Sequence, residues 1–113
     1  MQRKDRIVLS KICNEIDIAL EMMGTESFES FDENEMKKRA VCMTVINIGE
    51  LVKNLSSDLR LSNDHIPWKL IAGFRDIAAH KYGSLRMKDV YTTVMDDFPI
   101  LKENINQIIS KNE

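Results

Sequence analysis

Turn-forming residues are scarce in this chain of 113 residues, which has only 4 glycines and 2 prolines. A β-sandwich or barrel needs a turn every few residues, so this shortage argues against both. Cysteine is equally sparse. Cys13 and Cys42 fall within helical apolar patterns and share no ligand-like spacing, which excludes a disulfide framework and reads as reduced packing residues. No H-x-x-x-H or C-x-x-C pair is present to anchor a transition metal. No apolar run approaches the roughly 20 residues that span a bilayer, and the start Met1-Gln2-Arg3-Lys4-Asp5 has no signal-peptide core. A cytoplasmic protein without membrane contact is expected. Positive charge is not in excess either: 16 Lys and Arg stand against 18 Asp and Glu, for a net charge of -2. The whole surface therefore offers nucleic acid no general attraction, and RNA would have to meet a local basic patch.

What the chain does have is helix-forming composition. Hydrophobic residues make up 43% and charged residues 30%, within the ordinary range of a globular protein, and the mix leans toward Leu, Ile, Met, Lys and Glu. One all-α domain over residues 1–113 is expected, large enough to bury a core without staples. Leu9, Ile12, Ile16, Ala19 and Met23 recur at gaps of three and four, predicting a helix from about Asp5 to Met23 that Gly24 ends. Residues 25–31 read as a loop. Asp32 with Glu35 has the arrangement of a capping box and predicts the start of a second helix. Val41, Val45, Ile48, Val52, Leu55 and Leu59 form its core stripe. A second row beside it, Met36, Ala40, Met43, Asn47, Glu50 and Asn54, turns from apolar to polar, the pattern of a cleft or subunit interface. Ser56-Ser57-Asp58 reads as the frayed end of this helix. Pro67 suits the first position of a third helix, from Pro67 to about Lys81, anchored by Trp68 and closed by Gly83-Ser84. A last helix runs from about Met87 to Ile109, burying Val90, Val94, Leu101, Ile105 and Ile108, with Pro99 expected to bend it. Short connections make an antiparallel four-helix bundle the economical architecture.

The third helix carries the chemistry. Arg75-Asp76-Ile77-Ala78-Ala79-His80-Lys81-Tyr82 sets a permanent cation, a carboxylate, an imidazole and a phenol within about two turns. A guanidinium can clamp phosphate oxygens, and an imidazole can carry a proton near neutral pH. Asp76 and His80, four apart, share a face, so the carboxylate can orient the imidazole. Arg75 and His80 lie about 140° apart around an ideal helix, so they border one pocket only if the helix distorts or a groove is shared with another surface. A symmetric dimer supplies such a surface. The same residues also have a purely structural reading, as a surface ion-pair former, a satisfied polar histidine and a packed tyrosine, and the spacing alone leaves both open. A metal site of Asp76, His80 and Glu50 is weakly supported, and His65 reads as a loop residue. The third helix has too little positive charge for a DNA-recognition helix.

Several segments together resemble the HepT-like family of the HEPN superfamily. They are Ile48-Gly49-Glu50 with Val52-Lys53-Asn54-Leu55, then Ile66-Pro67-Trp68, then R-x4-H-x-Y from Arg75 to Tyr82, and finally Asp97-Phe98-Pro99-Ile100-Leu101. The match covers the chain from about Met36 onward. It implies a HEPN-type bundle acting as a homodimer, and a metal-independent endoribonuclease that is the toxin of a type VII toxin–antitoxin system. The implied antitoxin is a MntA-type minimal nucleotidyltransferase. The resemblance also implies that Arg75 and His80 are the catalytic residues, lining one cleft from both subunits, and that Tyr82 accepts the AMP that silences the toxin. Asp76 would support His80, and Asn47, Glu50 and Asn54 would line the same groove or brace the dimer. RNA is the expected substrate, and neither a metal nor another cofactor is expected. A non-catalytic helical partner that positions a nucleotidyltransferase is the alternative. Two departures stand out: Arg86 replaces a capping aspartate, and Tyr91 stands where tryptophan is frequent.

Overall fold

In the computed structural model the described residues are 1–81 and 86–112, without the side chains of residues 75–81. They form helices α1 (Arg3–Met23), α2 (Phe28–Asp32), α3 (Glu35–Lys53), α4 (Ser57–Ser62), α5 (Trp68–Lys81), α6 (Met87–Thr92) and α7 (Phe98–Lys111), with a π-helical turn, Thr93–Asp97, joining α6 to α7. No strand occurs among the described residues. Four long helical runs make an all-α bundle: α1, α3, α5 and the composite α6–α7.

Each core stripe read from periodicity is buried. Leu9, Ile12, Ile16 and Ala19 on α1 have no exposure, and they meet Val41, Ile48 and Val52 of α3 and Val94 and Ile105 of the last run, which are equally inaccessible. α3 is the central element, packed against both α1 and α5, while α1 also packs against α7. Gly24 ends α1 at φ +56, and its N–H donates to the Leu20 carbonyl. Only glycine holds that backbone at little cost.

The segments between the long helices differ from expectation. Residues 28–32 are helical, because Ser27 Oγ accepts from the Ser30 N–H and both phenylalanines of the turn reach Tyr91. This displaces the start of α3. Asn34, not Asp32, is its cap, and Asn34 Oδ1 accepts from the Lys37 N–H at 3.0 Å. Asp32 instead ends α2 and lies 3.6 Å from Lys38 Nζ. Ser56 does not mark a fraying end: it caps α4, with its Oγ accepting from the Leu59 N–H. The same serine is held by Asp5, a buried carboxylate that accepts from its N–H at 2.9 Å and from its hydroxyl at 2.6 Å.

Pro99 has its effect just before itself. A ring without an N–H cannot continue the regular ladder, and the chain answers with the wider π turn over Thr93–Asp97. Arg86 is the N-cap of α6 and makes no side-chain cap bond, its guanidinium lying 3.9 Å from Asp89. Tyr91 compensates at the other side of that helix. Its ring packs edge-on to Phe28 at 5.7 Å, and its hydroxyl donates to the Glu26 carbonyl at 2.7 Å. Lys88 Nζ sits 4.7 Å from the centre of the Phe28 ring, closing the cluster as a cation–π contact.

Candidate ribonuclease site

α5 begins where Ile66 and Trp68 bury their side chains and the Trp68 indole N–H donates to the Asn63 carbonyl at 3.1 Å. The Ile71 N–H takes the Pro67 carbonyl, so the helix starts immediately after the proline ring. From there α5 packs along α3 and remains helical to Lys81, so Arg75, Asp76 and His80 all stand on regular helical backbone. Their side chains, and Tyr82 with Gly83 and Ser84, lie outside the described residues. So does any meeting of Asp76, His80 and Glu50 at a metal. Among the described residues no three His, Cys, Asp or Glu side chains cluster as a metal would require.

Asn47, Glu50 and Asn54 are all exposed on α3. The row to which they belong does not lie beside the core stripe as expected; it is turned about 150° from it and faces outward. Asn54 Nδ2 donates back to the Glu50 carbonyl at 3.3 Å, which fixes the amide at the end of the helix. His65 is exposed in the connection before α5.

Sequence reasoning missed one feature next to the motif. A groove of about 240 Å³ separates the first half of α5 from the last helical run, lined on one side by Pro67, Leu70 and Phe74 and on the other by Thr93, Asp97 and Ile100. Leu70 and Ile100 are 66% and 60% exposed along it. Thr93 and Asp97 are the two ends of the π turn, and such turns often mark functional sites. Pro99 was the only sign of this in the sequence.

Neither thiol is a candidate nucleophile. Burial pushes Cys42 up to about 11, and burial also raises Cys13, whose Sγ lies 3.8 Å from Asn106 Oδ1. Because thiolate is the reacting form, at pH 8 only about one Cys42 in 10³ is ionised. Iodoacetamide at pH 8 should therefore leave Cys42 unlabelled in native protein and label it after unfolding, as read by peptide mass spectrometry. Native labelling of Cys42 at the rate of a free thiol would contradict this.

The model of the ribonuclease HepT-like family matches residues 12–108 of the chain. The chain belongs to the HepT-like ribonuclease family. "Putative RNase TTE0752" of Caldanaerobacter subterraneus subsp. tengcongensis is 32% identical over 108 residues, 96% of each chain. "Probable ribonuclease HepT" of Thermococcus cleftensis is 29% identical over 96% of this chain and 98% of its own length. "Gamma-glutamylcyclotransferase and putative RNase MJ0434" of Methanocaldococcus jannaschii is 34% identical over 96% of this chain but only 50% of its own length. In that relative the matching unit is half of a longer protein. No solved structure matches the chain. In this HepT-like chain no helix among the described residues is long and apolar enough to cross a membrane.

Proposed function

We propose that this HepT-like protein is an endoribonuclease toxin that cuts RNA without a metal ion, at a site formed by Arg75 and His80 of two copies. The observation that carries this reading is the family match over residues 12–108, which includes the R-x4-H-x-Y segment from Arg75 to Tyr82. In the proposed reaction His80 takes the proton of a ribose 2′-OH. The freed 2′ oxygen attacks the adjacent phosphorus, and the 5′ oxygen leaves with a proton. Arg75 stabilises the crowded phosphorane with paired N–H donors. Asp76 holds the imidazole in the tautomer that leaves one nitrogen free to accept. Two copies across a two-fold axis place one His80 to receive the first proton and the other to supply the second. The reaction requires a 2′-OH, so the substrate is RNA, not DNA.

The partner in this reading is a minimal nucleotidyltransferase antitoxin that transfers AMP to Tyr82, forming a phosphodiester at the phenol and releasing pyrophosphate from ATP. AMP at that position adds negative charge and bulk where RNA phosphates must pass. Asn47, Glu50 and Asn54 stand in the reading as groove-lining or dimer-bracing residues.

The decisive experiment is cleavage of RNA by the purified protein in excess EDTA. Fragments with 2′,3′-cyclic phosphate and 5′-OH ends are the expected result. If no cleavage occurs with or without divalent ions, and R75A and H80A bind the nucleotidyltransferase as the parent does, the protein is a non-catalytic partner instead. Co-expression with the nucleotidyltransferase should add mass in steps of AMP that map to Tyr82 and disappear in Tyr82→Phe. Modification only at other residues would overturn the role of Tyr82.

A further inference from the structure

On a chain whose net charge is -2, an RNA strand needs cations that no carboxylate has already claimed. Lys37, Lys38, Arg39, Arg86 and Lys102 each face a carboxylate. Arg60 on α4 and Lys69 on α5 do not, and among the described residues neither side chain has an ion-pair or hydrogen-bond partner. Both line one open hollow of about 480 Å³ at the junction of α4 and α5, with Asp64 on its rim. The guanidinium is the unusual member. Its Nε is sealed from solvent without a hydrogen-bond partner, while its terminal nitrogens stay open. Partly burying a cation with no acceptor costs free energy that an anion on the same guanidinium returns. The backbone adds donors at this place. α5, a helix of 14 residues, starts at the hollow, and among the described residues the N–H groups of Lys69 and Leu70 take no backbone carbonyl.

We infer that the hollow between α4 and α5 holds a phosphate of the RNA chain outside the bond that is cut, with Arg60 and Lys69 as its ligands. The guanidinium fork matches two phosphate oxygens, and the exposed Lys69 ammonium adds a point charge beside it. Asp64 decides which phosphate fits. Its carboxylate opposes a multiply charged anion, so a singly charged phosphodiester suits the hollow better than free phosphate or a nucleoside triphosphate. The position also suits a strand. Lys69 stands six residues before Arg75 on the same helix, about 9 Å of axial rise, so RNA lying along α5 reaches both. A contact at that remove from the reacting bond is equal in the ground state and the transition state. It therefore acts on substrate binding and leaves the chemical step alone.

This inference rests on the RNA-cutting reading above and adds a subsite to it. The test is binding of a labelled 2′-O-methyl RNA, which lacks the attacking hydroxyl, by the full chain over a range of salt concentrations. Arg60→Gln and Lys69→Gln should each weaken binding about fivefold at 0.1 M salt and reduce the slope of log K against log salt by about 0.7, the share of one phosphate contact. Asp64→Asn should tighten binding. Lys69 is exposed, so its variant stays informative if Arg60→Gln melts early in circular dichroism. Parent-like affinity and slope in Lys69→Gln and in a folded Arg60→Gln would overturn the subsite. So would two other results: a thermal shift by inorganic phosphate or ATP that needs Arg60 while RNA affinity does not, or loss of nucleotidyltransferase binding alone. Cleavage of ordinary RNA is scored separately, and both variants should raise KM while kcat stays near that of the parent. Charge-dependent binding without cleavage refutes only the ribonuclease reading, whereas cleavage with an unchanged KM in both variants refutes only the subsite.

Discussion

His80→Ala is expected to slow RNA cleavage by about 10²–10⁴-fold, the usual contribution of a positioned general acid or base. Arg75→Ala is expected to cost about 10²–10³-fold, in line with removing one donor set from a charge developing in the transition state. The two roles differ in kind. In the proposed reaction Arg75 would bind a charge that grows as the 2′ oxygen attacks, so Arg75→Lys should restore part of the rate as a point cation without the paired geometry. No such rescue is expected at His80, because neither Lys nor Gln carries a proton reversibly near neutral pH. The double variant should fall little below His80→Ala alone, since groups serving one transition state are not additive. Single-turnover cleavage of a labelled RNA, with circular dichroism to establish the fold, measures all four. Parent-like rates in His80→Ala would remove that residue from the chemistry.

The second large effect concerns stability. Trp68→Ala should destabilise the fold by about 3–5 kcal/mol, the range for removing a buried large aromatic side chain. Trp68 is 5% exposed, and its indole N–H is bonded to the Asn63 carbonyl. Against a total stability of about 5–15 kcal/mol this is a large share, and it falls at the root of the motif helix. Trp68→Phe keeps most of the ring packing and removes only the indole donor, while the Asn63 carbonyl still accepts from the Ile66 N–H, so about 1 kcal/mol is expected. Thermal denaturation of both variants separates packing from hydrogen bonding. Equal melting temperatures for Trp68→Ala and the parent would show that α5 is anchored elsewhere.

Arg75 to Lys81 was readable as helix because Pro67 and Trp68 announce its start and the composition sustains it. The long helices were readable for a similar reason. Apolar residues at gaps of three and four need only the helical period to be recognised, and every core stripe read that way is buried. Short elements were not readable. α2 depends on Phe28 and Phe31 meeting Tyr91, some sixty positions later, and α4 depends on Asp5 reaching Ser56 across 51 positions. Such pairs leave no periodic trace, so residues 28–31 looked like a loop and Ser56 like a frayed end. The cap of α3 was misplaced by two residues for the same cause: α2 occupies Asp32, and Asn34 is the next side chain able to accept from the first turn.

By itself the sequence determined the all-helical class, the core stripes and the family, because each of these depends on local spacing and residue type. Only the tertiary structure decided what α3 leaves uncovered. Periodicity shows that a helix has two rows but not which neighbours cover them, and it was the packing of α1 and α5 that buried the valine row and turned Met36 and Met43 outward.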